Sequence, residues 1–206
     1  MSNPLTALAV TLVAAGLAAC SRTQPDKMTF FVTSSPAGEG GMLGGLAGAD
    51  AHCQKLAEAV GSKGREWRAY LSASASGGAP AVDARDRIGS GPWVNLRGVQ
   101  VAANLADLHA PTSGIGFQTA ITERGDRGRF PHDMLTGSDA DGTLAEGDAT
   151  CRNWTSTSGF AVLGHSDRNG GRGDAGSWNS AHLSEGCTSA AFRNTGGNGL
   201  FYCFAR

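Results

Sequence analysis

Four cysteines in the body of this chain, Cys53, Cys151, Cys187 and Cys203, constrain its fold more than any other feature. A fifth, Cys20, closes an apolar N-terminal run at Leu17-Ala18-Ala19-Cys20. That small-residue pattern is one that a lipoprotein signal peptidase cuts just before the cysteine. An exported chain meets an oxidising compartment, where an even set of body cysteines reads as two disulfides. Four cysteines allow three pairings, and sequence alone does not choose among them.

Residues 5–19 are almost wholly apolar and number about fifteen. Such a run is too short to span a bilayer comfortably and suits a signal h-region. The expected organisation is a signal peptide over residues 1–19, a lipidated tether over 20–27 beginning with diacylated Cys20, and one domain over 28–206. Ser21 rather than Asp follows the modified cysteine, so an outer-membrane lipoprotein is expected, held to the membrane by its lipid alone. A secreted or periplasmic protein with an ordinary cleaved signal is the alternative.

Of the 206 residues, 31 are glycine and 7% are aromatic, which favours a loop-rich domain over a helical bundle. Hydrophobic residues at 40% against 17% charged exclude a disordered chain. The formal net charge of −1 gives no reason to expect a nucleic-acid or heparin surface. What remains beyond the signal is long enough for one domain with a core of its own.

Hydrophobic patterning places strands at 28–32 (MTFFV), 67–71 (WRAYL), 160–163 and 200–204 (LFYCF), with a shorter one at 119–121. Asp50 reads as an N-cap before a helix whose Cys53, Leu56, Ala57 and Val60 share one face, and Gly61 as its stop. A short helix is expected within 101–109. Residues 123–148 read as a long polar excursion with little regular structure. The class is α+β, with short helices packed on a mixed antiparallel sheet, long loops and two disulfides.

An ordered set of motifs resembles the endostatin domain of collagens XV and XVIII, and more closely the bacterial lectin-like proteins of that fold. It comprises a Cys-bearing helix over 50–60, Trp67-Arg68-Ala69-Tyr70-Leu71-Ser72, Asp86-Arg87 with Val94-Asn95-Leu96-Arg97, Cys151-Arg152-Asn153-Trp154, Trp178-Asn179-Ser180 and the closing Cys203 strand. The resemblance implies a C-type-lectin-like fold with nested bridges, Cys53–Cys203 and Cys151–Cys187. It also exposes departures. Calcium-dependent lectins use Trp-Asn-Asp where this chain has Ser180, and Ser cannot replace a carboxylate for a hard cation. The arginine-rich heparin face and N-terminal zinc histidines of mammalian endostatin have no counterpart here.

The expected ligand-binding residues are Asn179, His182, Asp139, Asp141 and Arg168. Asp139, Asp141, Glu146 and Asp148 could wrap an oxygen-seeking cation, although a solvated acidic loop is the simpler reading and no cofactor is expected; calcium is possible. Trp154 and Trp178 read as core. The five histidines form neither H-x-H nor H-E-x-x-H, which argues against a zinc site. Gly171 to Gly176 matches G-x-G-x-x-G without the strand-to-helix context, and Arg-Gly-Asp at 124–126 and 172–174 reads as chance. The function expected is a non-catalytic binding module of the bacterial cell envelope that reads a glycan. A structural or adhesive protein that binds another protein is the alternative. An envelope hydrolase built from His165, His182 and Asp167 would require those groups to meet in one cleft.

Overall fold

The run Leu200-Phe201-Tyr202-Cys203-Phe204 lacks polar alternation, the pattern of a strand covered on both faces. In the computed structural model, which describes residues 24–127, 131–169 and 176–206, it forms the middle of β8 (Gly197–Ala205), buried along nearly its whole length. Strands line both edges of β8. Antiparallel β1 (Phe30–Val32) pairs over 202–204, and antiparallel β2 (Trp67–Ala69) pairs over 203–205 on the other edge. Parallel β5 (Asp133–Leu135) runs beside the first half of β8. Beyond β5 come β6 (Val162–His165) and β7 (His182–Leu183), each antiparallel to its neighbour, so the main sheet is mixed. A separate hairpin joins β3 (Trp93–Val94) to β4 (Gln100–Ala102).

Among the described residues, five α-helices surround these strands: α1 (Gly45–Ala59), α2 (Ala84–Arg87), α3 (Leu105–Leu108), α4 (Cys151–Trp154) and α5 (Ser189–Thr195). The buried stripe of α1 contains Cys53, Leu56 and Ala57, as its spacing predicts. Cys53 bridges Cys203 on β8, and Cys151 bridges Cys187. These pairs close spans of 150 and 36 residues. In the chain-entropy model the two are worth about 5 and about 4 kcal/mol against the unfolded chain. One core packs α1 against β8 around Phe31, Trp67, Trp154 and Phe201; the other gathers Phe30, Tyr70, Trp93, Trp178, Tyr202 and Phe204.

Asp50 is not the N-cap. The helix starts earlier, after Gly44, whose left-handed φ of 80° makes the entry turn. Asp50 instead lies inside α1 and is nearly buried. Its Oδ1 accepts from the Ala69 amide at 2.9 Å and from Arg87 Nη2 at 2.9 Å. Its Oδ2 accepts from Arg68 Nη1 and Arg87 Nη2, both at 2.7 Å. Arg87 also donates to the Ala69 carbonyl. One carboxylate thus ties α1, β2 and α2 together. Burial pulls the Arg87 guanidinium below its ordinary range, opposed by the Asp50 charge.

Other differences from the sequence expectation have local causes. The 123–148 excursion contains β5, whose three residues are too few to show a period. Residues 119–121 form no strand, although the Ile121 carbonyl accepts from the Val32 amide at 2.9 Å. The α4 turn is wound left-handed, with φ between 49° and 64° at all four non-glycine residues. That hand costs about 1–2 kcal/mol per residue. Asn153 holds it, accepting from the Ser74 amide at 2.7 Å and donating to the Ser74 carbonyl at 2.9 Å. The signal-peptide expectation, Cys20, and the 172–174 and 171–176 motifs lie outside the described residues, wholly or in part. No described helix is long and apolar enough to cross a membrane.

Replacing Asp50 by Ala leaves Arg87, whose side chain is only 10% exposed, without its carboxylate. Urea unfolding with both disulfides intact should show a loss of about 3–5 kcal/mol. A loss under 1 kcal/mol would mean that the ion network is not a fastening of the helix.

Candidate functional site

The pleat of the main sheet brings together residues that are far apart in the chain. Asp133 is the register partner of His165, and His182 is the partner of Leu163. Leu163 and His165 are two apart on β6, so they share a face, and cross-strand partners share it with them. Asp133, His165 and His182 therefore converge, and His132 stands just before β5 beside them. Asp133 is wholly buried as a side chain. Its Oδ1 lies 3.3 Å from His132 Nε2, 3.2 Å from His165 Nε2 and 3.6 Å from His182 Nε2. The His132 and His165 rings stack at 4.3 Å, nearly parallel, and His182 meets His165 edge-on at 5.0 Å.

The outer nitrogens of two of these rings are committed. His132 Nδ1 lies 3.3 Å from Asp167 Oδ1, and His182 Nδ1 lies 2.9 Å from the Leu183 carbonyl. Those contacts fix ring orientation and leave Nε2 turned toward Asp133 in each case. The sequence singled out His165, His182 and Asp167 as a set. The fold brings the two histidines together, whereas Asp167 contacts His132, and the group at the centre is Asp133. Nothing in the local spacing marks Asp133, since its role comes from strand register across 32 residues of separation.

A second polar feature is an open cleft of about 420 Å³ lined by His109, Pro111, Ala140, Arg168, Trp178 and Asn179, among others. Two expected ligand residues, Arg168 and Asn179, line this cleft, and the loop carrying Asp139 and Asp141 forms its edge at Ala140. Asn179 is 1% exposed. Its Nδ2 donates to Tyr70 Oη at 2.9 Å and to the Asp139 carbonyl at 3.0 Å, and its Oδ1 accepts from Ser177 at 3.0 Å. Arg168 donates to the Pro111, Ser113 and Gly176 carbonyls and so cross-links the cleft wall. His182 belongs to the histidine cluster. Trp154 and Trp178 are buried, and their indole N–H groups donate to the Ser72 and Leu108 carbonyls.

In the acidic loop, Asp141 Oδ1 accepts from the Thr143 amide and hydroxyl, and those bonds hold its carboxyl below the ordinary range. Asp148 accepts from Thr150 and from the Arg152 amide. Asp139 and Glu146 are exposed. Among the described residues, the group whose ligand atoms gather closely enough for an ion is His132, Asp133 and His165, all within 4.8 Å of one another.

Beneath the cleft runs a directed chain. Asn179 donates to Tyr70, Tyr70 Oη lies 2.8 Å from His109 Nε2, and His109 Nδ1 lies 2.8 Å from the Leu105 carbonyl. Nδ1 is the donor to that carbonyl, so a neutral His109 accepts the tyrosine proton at Nε2. Burial pushes the His109 imidazolium down in pKa, helped by Arg85 and opposed by the Leu105 carbonyl and Asp141. Burial likewise raises the Tyr70 phenol far above its usual range, so it stays a donor. Gly142 makes the close approach possible, for at its φ of 87° a Cβ would stand 2.3 Å from His109 Nε2 and 2.8 Å from Tyr70 Oη.

A depressed folded-state value means that the unfolded chain binds the proton more readily. The stability from His109 is present above the unfolded histidine range near about 6.5, and drains as pH falls toward the folded value. Urea midpoints measured between pH 7.5 and 5 should therefore fall, and His109→Gln should flatten the slope. Gly142→Ala should lower stability by at least about 1 kcal/mol through the clash and the left-handed backbone, read in the same assay at pH 7.5. No protein-family model matches the chain, and no curated protein matches it either.

Proposed function

We propose that this chain is a non-catalytic binding module of the bacterial cell envelope, lectin-like in fold and reading a glycan in the cleft beside Trp178. The observation that carries this reading is the cleft itself. Its volume of about 420 Å³ lies in the range that small ligands occupy. Its walls are cross-linked by hydrogen bonds. Arg168 is bound to three carbonyls, Asn179 to the Tyr70 hydroxyl and the Asp139 carbonyl, and the aromatic core of Tyr70, Trp178 and Tyr202 lies behind them. A mostly apolar concavity with Arg168 and Asn179 in its walls suits a sugar, whose ring offers a C–H face ringed by hydroxyls.

Two disulfides, α+β architecture and long loops support the lectin-like fold of the proposal, and export supplies the oxidising compartment that the bridges need. An outer-membrane address through a lipidated Cys20 belongs to the same reading.

A glycan array probed with residues 28–206, with and without calcium, tests it. The expected result is binding to one saccharide class, weakened at least tenfold by Arg168→Ala with the circular dichroism spectrum retained. Silence across the array, or binding that ignores Arg168→Ala, overturns the reading. Capture of a single envelope protein by cross-linking on intact cells, alongside such silence, would assign the domain to adhesion instead.

A further inference from the structure

The geometry points to a binding site for one divalent transition-metal ion of the zinc type, held by His132, Asp133 and His165 with His182 as the fourth ligand. It is independent of glycan binding and stands on different residues.

Asp133 has no exposed side-chain surface, and among the described residues neither of its oxygens has a hydrogen-bond donor. A charged group in that position needs a compensating cation or a set of donors. Among the described residues, the basic groups within 4 Å of it are histidines alone. An imidazolium paired with this carboxylate would aim an N–H at an oxygen. The His132 ring shows the contrast, since its Nδ1 makes a hydrogen bond to Asp167 whereas its Nε2, at the same 3.3 Å from Asp133, does not.

The separations fit shared coordination instead. Zinc bonds of about 2.0–2.1 Å in a tetrahedron put neighbouring ligand atoms about 3.3–3.4 Å apart. Asp133 Oδ1 has imidazole Nε2 atoms at 3.2, 3.3 and 3.6 Å. Three neutral imidazoles and one carboxylate are a donor set for zinc and its neighbours, not for calcium or magnesium. The surroundings match as well. Asp167 behind His132 is the outer carboxylate that typically fixes the tautomer of a ligating histidine, and the Leu183 carbonyl does the same for His182. Asp133 and His165 are buried, whereas the His132 and His182 side chains are 32% and 33% exposed, so an ion can enter from the rim. No local histidine motif is needed, because β5, β6 and β7 assemble the set in space.

The full chain, with both disulfides formed, is stripped of metal by chelator and titrated calorimetrically with Zn²⁺. Saturable binding of one equivalent is expected, with intense visible absorption when Co²⁺ replaces it, as a four-coordinate ion gives. Asp133→Asn and His165→Ala should abolish that stoichiometric binding. Asp167→Asn should weaken it about 10- to 100-fold without changing stoichiometry. His52→Ala, whose ring contacts the Ser35 carbonyl elsewhere, should change nothing. Zn²⁺ should raise the unfolding temperature of the parent but not of Asp133→Asn. If the buried-site variants fail to fold, the rim variants His182→Ala and Asp167→Asn decide the matter. Absence of saturable Zn²⁺ binding by the folded parent, or parental affinity in both rim variants, overturns the site.

Discussion

The fastening of α1 to β8 through Cys53–Cys203 is the constraint on which the other structure depends. β8 carries β1 on one edge and β2 with β5 on the other, so whatever holds β8 holds three further strands. A chain with many glycines and short elements loses much conformational entropy on folding, and few of its elements would be stable alone. Asp50 adds a second fastening one turn earlier on the same helix, reaching β2 and α2. Covalent and ionic links thereby act on the same helix face from different directions.

What the sequence revealed follows the range of the forces involved. The buried stripe of α1 and the apolar run of β8 announce themselves through period and composition, because each is decided by neighbours a few residues away. The α+β class and the two bridges were also legible, the pairing through resemblance rather than spacing. Asp50 reads as a cap because an acidic residue before an apolar stripe looks the same whether it caps a helix or is buried in one. What decided it was the arrival of Arg68 and Arg87 from distant segments. β5 was hidden because three residues within a polar stretch have no period to show.

The polar features divide along the same line. Asn179 is legible as a polar residue beside a Trp and Arg168 only as one candidate ligand residue among several, but their hydrogen bonds show how the protein uses them, holding loops in place around a concavity. Asp133 carried no signal at all. Its importance arises when β5, β6 and β7 are laid side by side, which turns separated histidines into neighbours. A single sequence records such a cluster only as scattered letters.

The left-handed turn at Cys151–Trp154 has a consequence for how this protein comes to be. Four consecutive residues are wound in the hand that L-amino acids avoid, so the free peptide would spend almost none of its time in this shape. Its geometry is borrowed from Ser74, Phe160 and Cys187, which lie elsewhere in the chain. The segment is accordingly a keystone rather than a foundation. The shape it takes is dictated by its neighbours.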